Sequence, residues 1–240
     1  MGKKCLIVTG HYGSGKTEFA IEKSIEIGSR LNRTFLCDLD IINPYFRSRD
    51  YKNILAEKGI SLVAPENKLM KADLPIVTGE MTARLKDYSA NLILDVGGDA
   101  DGGAVLGQFS SLLQERGYDF LFVVNLNRPH VSSVEGILSA IRGVERSSRL
   151  KVTGLINNTH LGGERITAED YMRGIDVCNE VGQALTIPLV YNMLEKKDYC
   201  SLKKNLLCES FNNVFVFKRK LVPPWQQWSK KEGTFNESNF

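Results

Sequence analysis

Residues 10 to 17 read Gly-His-Tyr-Gly-Ser-Gly-Lys-Thr, a glycine, four loop residues, then Gly15, Lys16 and Thr17. That spacing suits an anion with several oxygens. Glycines let successive backbone N–H groups turn toward one point. A helix starting at the end of the run adds its partial positive charge. In such a loop Lys16 reaches the terminal phosphates of a nucleotide and stabilises charge on a transferring phosphoryl group, and the Thr17 hydroxyl ligates Mg²⁺. Gly10, Gly13, Ser14, Gly15, Lys16 and Thr17 are therefore candidate ligand-binding residues. The competing reading is a glycine-rich turn with no ligand.

A metal–phosphate site also needs carboxylates. Asp38-Leu39-Asp40 closes one apolar run, and Asp95-Val96-Gly97-Gly98-Asp99 closes another. Alternation puts Asp38 and Asp40 on one side of an extended chain. An Asp ending a buried strand, with glycines after it, is poor core filler. For Asp38 and Asp40 the bland alternative is helix capping and turn formation.

These residues need elements to hold them. Apolar runs at 4–9, 34–38, 60–64, 91–96, 120–126, 152–157 and 187–191 read as strands, and amphipathic segments lie between them. A helix is expected from Lys16 to about Arg30. Another follows Ser132 or Ser133 as cap, with Ile137, Leu138, Ile141 and Val144 on one face. Near-continuous apolar strands separated by helices imply α/β architecture, a doubly wound, mostly parallel sheet with helices on both faces. In such a sheet ligands bind outside the carboxyl ends of the strands, where the glycine loop, Asp38 and Asp95 all map.

The chain has 240 residues, 42% hydrophobic and 25% charged, as expected for one globular domain. Residues 1–221 are assigned to a nucleotide-binding domain and residues 222–240, polar after Pro223-Pro224, to a tail. The formal charge is +3, all of it from residues 218–240, so the body is neutral and gives no strong nucleic-acid signal. Five cysteines without a C-x-x-C pair read as packing residues. With no apolar leader and no 18-residue apolar run, the expected location is the cytoplasm.

The glycine loop, the D-x-D after the second strand, the D-x-G-G segment and Gly154-Leu155-Ile156-Asn157-Asn158 together resemble the MinD/ParA group of P-loop ATPases, which includes nitrogenase iron protein-like members. The resemblance runs from about residue 4 to 192. It implies ATP and Mg²⁺ as ligands. It gives Asp38 a water-mediated hold on Mg²⁺, Asp40 the placing of the attacking water, and Asp95 support of the metal. It implies that the Gly98 N–H senses the γ-phosphate. It puts adenine against Asn158, with Asn157 as the lesser fit, and makes Asn192 a weak candidate in the loop closing the base pocket. The group uses the γ-phosphate as a switch read by a client protein, often through a homodimer. Its loop normally begins with a Lys that crosses the dimer interface. His11 holds that place here, and His is shorter and mostly neutral at pH 7. His11 is thus either a loop residue or a nucleotide or partner contact. Glu18 stands where a Thr is common, and either favours the helix N-terminus or tunes metal binding.

Further candidates are weaker. Arg47 and Arg49 follow D-x-D and suit surface pairing or a switch segment. Arg128 could touch phosphate or a partner. His130 and His160 read as polar loop residues. Leu202 to Leu221 carries Leu206, Leu207, Phe211, Val214 and Phe215 at helical spacing, which reads as a last helix closing the core rather than as a membrane-binding one. Two rival functions remain open: a small-molecule kinase or ligase, with residues 65–88 as a lid, and a non-hydrolysing nucleotide-binding module. A GTPase is a lesser variant, because Asn157-Asn158-Thr159-His160 lacks the Lys and Asp of N-K-x-D.

Overall fold

The structure, a computed structural model, describes residues 5–29, 33–40, 51–64, 79–160, 164–204 and 211–221. The expected segments around Arg47, Arg49, Leu206, Leu207 and Cys208, most of the 65–88 lid and the 222–240 tail lie outside these residues.

The described strands are β1 (Cys5–Thr9), β2 (Thr34–Asp38), β3 (Ile60–Val63), β4 (Asn91–Asp95), β5 (Tyr118–Val124), β6 (Gly154–Asn157), β7 (Leu189–Glu195) and β8 (Val214–Phe217). They form one eight-stranded sheet in the order β3-β2-β4-β1-β5-β6-β7-β8. Every pairing is parallel. The helices are α1 (Lys16–Gly28), α2 (Lys52–Glu57), α3 (Gly79–Lys86), α4 (Ala100–Gly107), α5 (Ser110–Arg116), α6 (Val134–Ser148), α7 (Ala168–Leu185) and α8 (Lys196–Leu202).

Side chains alternate across the sheet and build two cores. Ile7, Cys37, Leu94, Phe122 and Leu155 face one side, with Met81 of α3, Leu113 of α5, Ile137 of α6 and Cys178 of α7. Val8, Leu36, Ile93, Val123 and Ile156 face the other, with Phe19 and Ile21 of α1 and Leu55 of α2. Strands covered on both faces must be apolar at consecutive positions, which is why they read as unbroken runs. Helix starts follow local capping: Ser133 accepts from Gly136 N–H at α6, Thr167 from Asp170 N–H at α7, and Asp99 from Gly102 N–H at α4.

Three expectations shift. The 202–221 segment is not one closing helix. α8 ends at Leu202, and Val214–Phe217 is strand β8, paired parallel to β7. Phe215 packs edge-on against Phe19 of α1 and Tyr191 of β7, so these aromatics extend the sheet's core instead of lining a helix face. The strand expected at 187–191 runs from Leu189 to Glu195, which puts Asn192 inside β7 and not in the loop after it. Helix α1 stops at Gly28, short of Arg30. No described helix is long and apolar enough to cross a membrane.

Arg116 ties this frame together below the sheet. It is buried, and its Nη1 donates to the carbonyls of Arg84 at 3.1 Å, Leu85 at 2.8 Å and Asp87 at 2.9 Å. Nη2 donates to the Ala90 carbonyl. One guanidinium thus satisfies the orphan carbonyls at the end of α3 and orients the entry to β4. We expect Arg116→Met to lower unfolding stability by about 3 kcal/mol, read by urea denaturation, because several buried acceptors lose a charged donor. Arg116→Lys should recover little, since an ammonium cannot fork to the same set.

Candidate functional site

The carboxyl ends of β1, β2 and β4 meet at the N-terminus of α1. Asp38 and Asp95 are direct partners in the parallel register of β2 and β4, so their side chains stand side by side. Asp40 follows two residues on, and its N–H bonds to Asp38 Oδ1 at 3.2 Å. Lys16 Nζ lies 2.6 Å from Asp40 Oδ2, with the two side chains only 5% and 7% exposed.

Burial alone would lower the Lys16 ammonium pKa. The charges of Asp40, Asp95 and Asp38 outweigh it and hold Lys16 above its usual value. Asp95 is pushed up to about 7, first by burial, with Lys16 pulling it down and Asp38 and Asp40 pushing it up further. Three carboxylates face one ammonium.

The glycine loop above them is tightly fitted. Ser14 N–H closes a turn onto the His11 carbonyl at 2.9 Å. Gly15 has φ +91°, and a Cβ there would sit 2.1 Å from Asn158 Nδ2. A Cβ on Gly98 would sit 2.0 Å from the Gly10 carbonyl oxygen, so the Gly97-Gly98 turn packs directly against the loop. Thr9 Oγ1 donates to the Gly97 carbonyl at 3.1 Å and links β1 to that turn. Unlike α4, α6 and α7, helix α1 has no side-chain cap, only Gly15. Ser14 Oγ is buried with no hydrogen-bond partner among the described residues, and the buried Thr17 hydroxyl faces Asp95, where it pulls the carboxyl pKa down.

These features fit a divalent cation bound with phosphate. The carboxylates outnumber the ammonium, and the Thr17 oxygen has capacity left for a ligand. Among the described residues no group of three or more His, Cys, Asp and Glu is arranged to hold a metal alone.

The other candidates fall around this centre. Asn158 Nδ2 donates to the Ser14 carbonyl at 2.7 Å. Asn157 turns the other way: its Nδ2 donates to Asn192 Oδ1 at 3.2 Å, and Asn192 Nδ2 donates to the Asn212 carbonyl. Asn192 therefore stands beside Asn157 in the sheet, away from the loop. Glu18 lies in the first turn of α1, where an acid favours the helix N-terminus, and its side chain has partners of its own. Its buried carboxylate accepts the backbone N–H groups of Lys220 and Leu221, both at 2.8 Å. Burial raises its pKa in spite of those two donors. His11 is partly exposed, its Nδ1 lies 3.3 Å from the Tyr12 carbonyl, and its ring sits 5.1 Å from that of His130. Arg128 Nε donates to the Gly13 carbonyl at 3.0 Å.

Asn125 was missed in the sequence. At 0% exposure it sits just past β5, where its amide donates to the carbonyls of Gly13 at 3.5 Å and His160 at 3.3 Å and accepts from His160 N–H. A polar residue ending a long apolar strand was the available signal, the same one that singled out Asp95.

With this geometry in hand, likeness to known proteins can be read. No protein-family model matches the chain. No curated protein matches it either. Among solved structures, the cell division protein FtsY from Thermotoga maritima is 15% identical, with a TM-score of 0.56 over 80% of this chain and 62% of that one. The signal recognition particle receptor FtsY from Elizabethkingia anophelis, solved in complex with GDP, is 17% identical, with a TM-score of 0.53 over 80% of this chain and 57% of that one. FtsY from Mycoplasma mycoides is 14% identical, with a TM-score of 0.53 over 78% of this chain and 58% of that one. The chain thus spans about three-fifths of the length of these structures. The likeness is one of fold: an α/β parallel sheet with helices.

His160 gives the site a pH signature. Burial, then the charges of Arg128, Arg219 and Lys197, lower its pKa to about 4. A free histidine titrates near 6.5. Between those values the unfolded chain binds a proton that the folded chain refuses, so stability falls as pH drops from about 6.5 toward 4. His160→Gln should flatten that part of the stability–pH curve, measured by urea unfolding at stepped pH, and leave the curve above pH 7 unchanged in shape.

Proposed function

We propose that this chain binds a magnesium–nucleoside triphosphate, ATP first, hydrolyses it slowly, and uses the γ-phosphate to set a state that a partner protein reads. The observation that carries this reading is the buried Lys16–Asp40 ion pair, set under an uncapped helix N-terminus and beside the Ser14 and Thr17 hydroxyls. A glycine-rich turn without a ligand has no reason to bury an ammonium among three carboxylates.

The parts divide as follows. Backbone N–H groups of residues 13–17 and the α1 N-terminus receive the phosphate oxygens. Lys16 exchanges Asp40 for the terminal phosphates and stabilises their charge. Asp40, released from Lys16, orients water for attack. Thr17, with Asp38 and Asp95 behind it, is the residue set that would hold Mg²⁺, which when bound neutralises charge on the phosphates. Gly98, packed on Gly10, has its N–H at the γ-phosphate end of the loop. Asn158, next to Gly15, is the candidate contact for the base. The MinD/ParA likeness, the switch role, a cytoplasmic setting and a homodimer belong to this proposal and rest on the sequence motifs. The FtsY structures include one with GDP, so GTP is the base to set against ATP in any assay.

The exchange of Lys16 between Asp40 and phosphate yields a split prediction. Lys16→Ala should lower phosphate release by about 100-fold or more. Asp40→Asn should also slow turnover by about 100-fold, yet bind the triphosphate about 3- to 10-fold more tightly, because its Lys16 no longer has to leave a buried partner. Phosphate release and calorimetric titration with Mg·ATP and Mg·GTP read both effects. Wild-type protein that binds neither nucleotide would overturn the proposal. Binding without release would leave only the non-hydrolysing module.

A further inference from the structure

The phosphate loop is held from outside by a residue that the nucleotide reading does not use. Arg128 leaves the carboxyl end of β5 and lays its guanidinium on Gly13. Its Nε donates to the Gly13 carbonyl at 3.0 Å. A Cβ on Gly13 would meet Nε at 2.9 Å, Cζ at 3.0 Å and Nη2 at 3.2 Å, so a side chain there would push the guanidinium from its place. Gly13 also needs its φ of +72°. Asn125 Nδ2 reaches the same carbonyl at 3.5 Å.

The consequence follows from peptide planarity. In a planar trans peptide the C=O and the following N–H point in opposite directions, so holding the carbonyl fixes where that N–H points. Gly13 O held by Arg128 and Asn125 therefore aims the Ser14 N–H, which closes the turn onto the His11 carbonyl at 2.9 Å. Ser14 O, held by Asn158 at 2.7 Å, does the same for the Gly15 N–H, which no described acceptor engages. The ends of β5 and β6 thus hold two consecutive carbonyls, which fixes the turn closed by the Ser14 N–H and leaves the Gly15 N–H for an anion.

Arg128 has capacity beyond this brace. Nη1 and Nη2 make no hydrogen bond to any described residue. Its charge is felt on both flanks of the loop, where it helps keep His11 and His160 neutral.

We infer that Arg128 is a positioning residue of the phosphate loop: it preorganises the 11–15 turn for the β- and γ-phosphates of a nucleoside triphosphate. This rests on the nucleotide-binding proposal and adds a residue to it. A fork-shaped donor suits the task, because one nitrogen holds the carbonyl while the rigid plane packs on a residue without a side chain. Preorganisation shows as affinity, since an unbraced loop must be ordered when the ligand arrives.

The test uses the full chain and two readouts. The first is calorimetric titration of wild type, Arg128→Ala, Arg128→Lys and Lys16→Ala with Mg·ATP, Mg·GTP and inorganic triphosphate. Arg128→Ala is expected to bind about 10- to 30-fold more weakly for every ligand that wild type binds. Arg128→Lys is expected to keep most of that defect, because it restores charge without the Nε–H bond. The second readout is hydrogen exchange in nucleotide-free protein, where the Ser14 amide should exchange faster in Arg128→Ala while core amides of β1 and β5 hold their rates. This keeps the inference testable without any ligand. Wild-type affinity in Arg128→Ala, with Lys16→Ala impaired, would overturn the brace and leave nucleotide binding standing. Full rescue by lysine, or an unchanged Ser14 amide, would also overturn it. No binding of any triphosphate by wild type would overturn both.

Discussion

A buried ammonium surrounded by three buried carboxylates constrains the rest of this molecule. Lys16 pairs with Asp40 at 2.6 Å, while Asp38 and Asp95 stand in register beside it. Removing such charges from water is costly unless they are paired. The sheet is what assembles them. All its pairings are parallel, so every strand ends on the same edge, and β1 lies between β4 and β5 with β2 one place further. The polar residues that close apolar runs, Asp38, Asp95, Asn125 and Asn157, are thereby gathered at one rim. Asp95, pushed up to about 7, shows how little spare solvation that rim offers. A cation placed there would relieve the same excess of negative charge, which is why the chemistry and the electrostatics point to one spot.

What could be read ahead of the structure was what local physics encodes. Both-face burial writes continuous apolar strands, so β1, β2 and β4 were legible almost to the residue, and β5 to within two. The glycine loop was legible because few other tasks need glycines at that spacing. β8 was not. Phe211, Val214 and Phe215 keep helical spacing, and a four-residue strand leaves too short an alternation to compete with it. Phe215 is decided by Phe19 and Tyr191, which no local window contains. Asn192 was misplaced for a related reason. Pro188 marks where the chain enters β7, and nothing nearby marks where it leaves. At the site, the positions of Asp38, Asp40 and Asp95 followed from strand ends, while their partners did not.

Glu18 makes the same point with more consequence. From sequence it belongs to the first turn of a helix, where an acid is favourable. In the fold it holds a backbone segment two hundred positions away, through two N–H groups of Lys220 and Leu221. Lys220 in turn donates to Glu22 one helical turn on, and its carbonyl accepts from Tyr51. Lys23 adds a hydrogen bond to Tyr191 and lies over the rings of Tyr191 and Phe215. The outward face of α1 is thus bound to the end of the described chain, while its N-terminus faces the site. A helix held this way cannot tilt without breaking buried hydrogen bonds. The N–H groups that start α1 are fixed in direction by contacts that lie on its far side.

The mouth of the loop follows a different logic from its floor. At the position where the resembled ATPases carry a crossing Lys, His11 is kept neutral by burial and by the neighbouring charges of His130, Arg128 and Lys16, against the hydrogen bond to Tyr12. Lys16 and, from beyond β5, Arg128 already put positive charge near this position, and a third fixed cation would be repelled by both. A neutral ring avoids that repulsion and packs against His130 instead. Tyr12, 48% exposed, is then the residue that this loop presents to solvent.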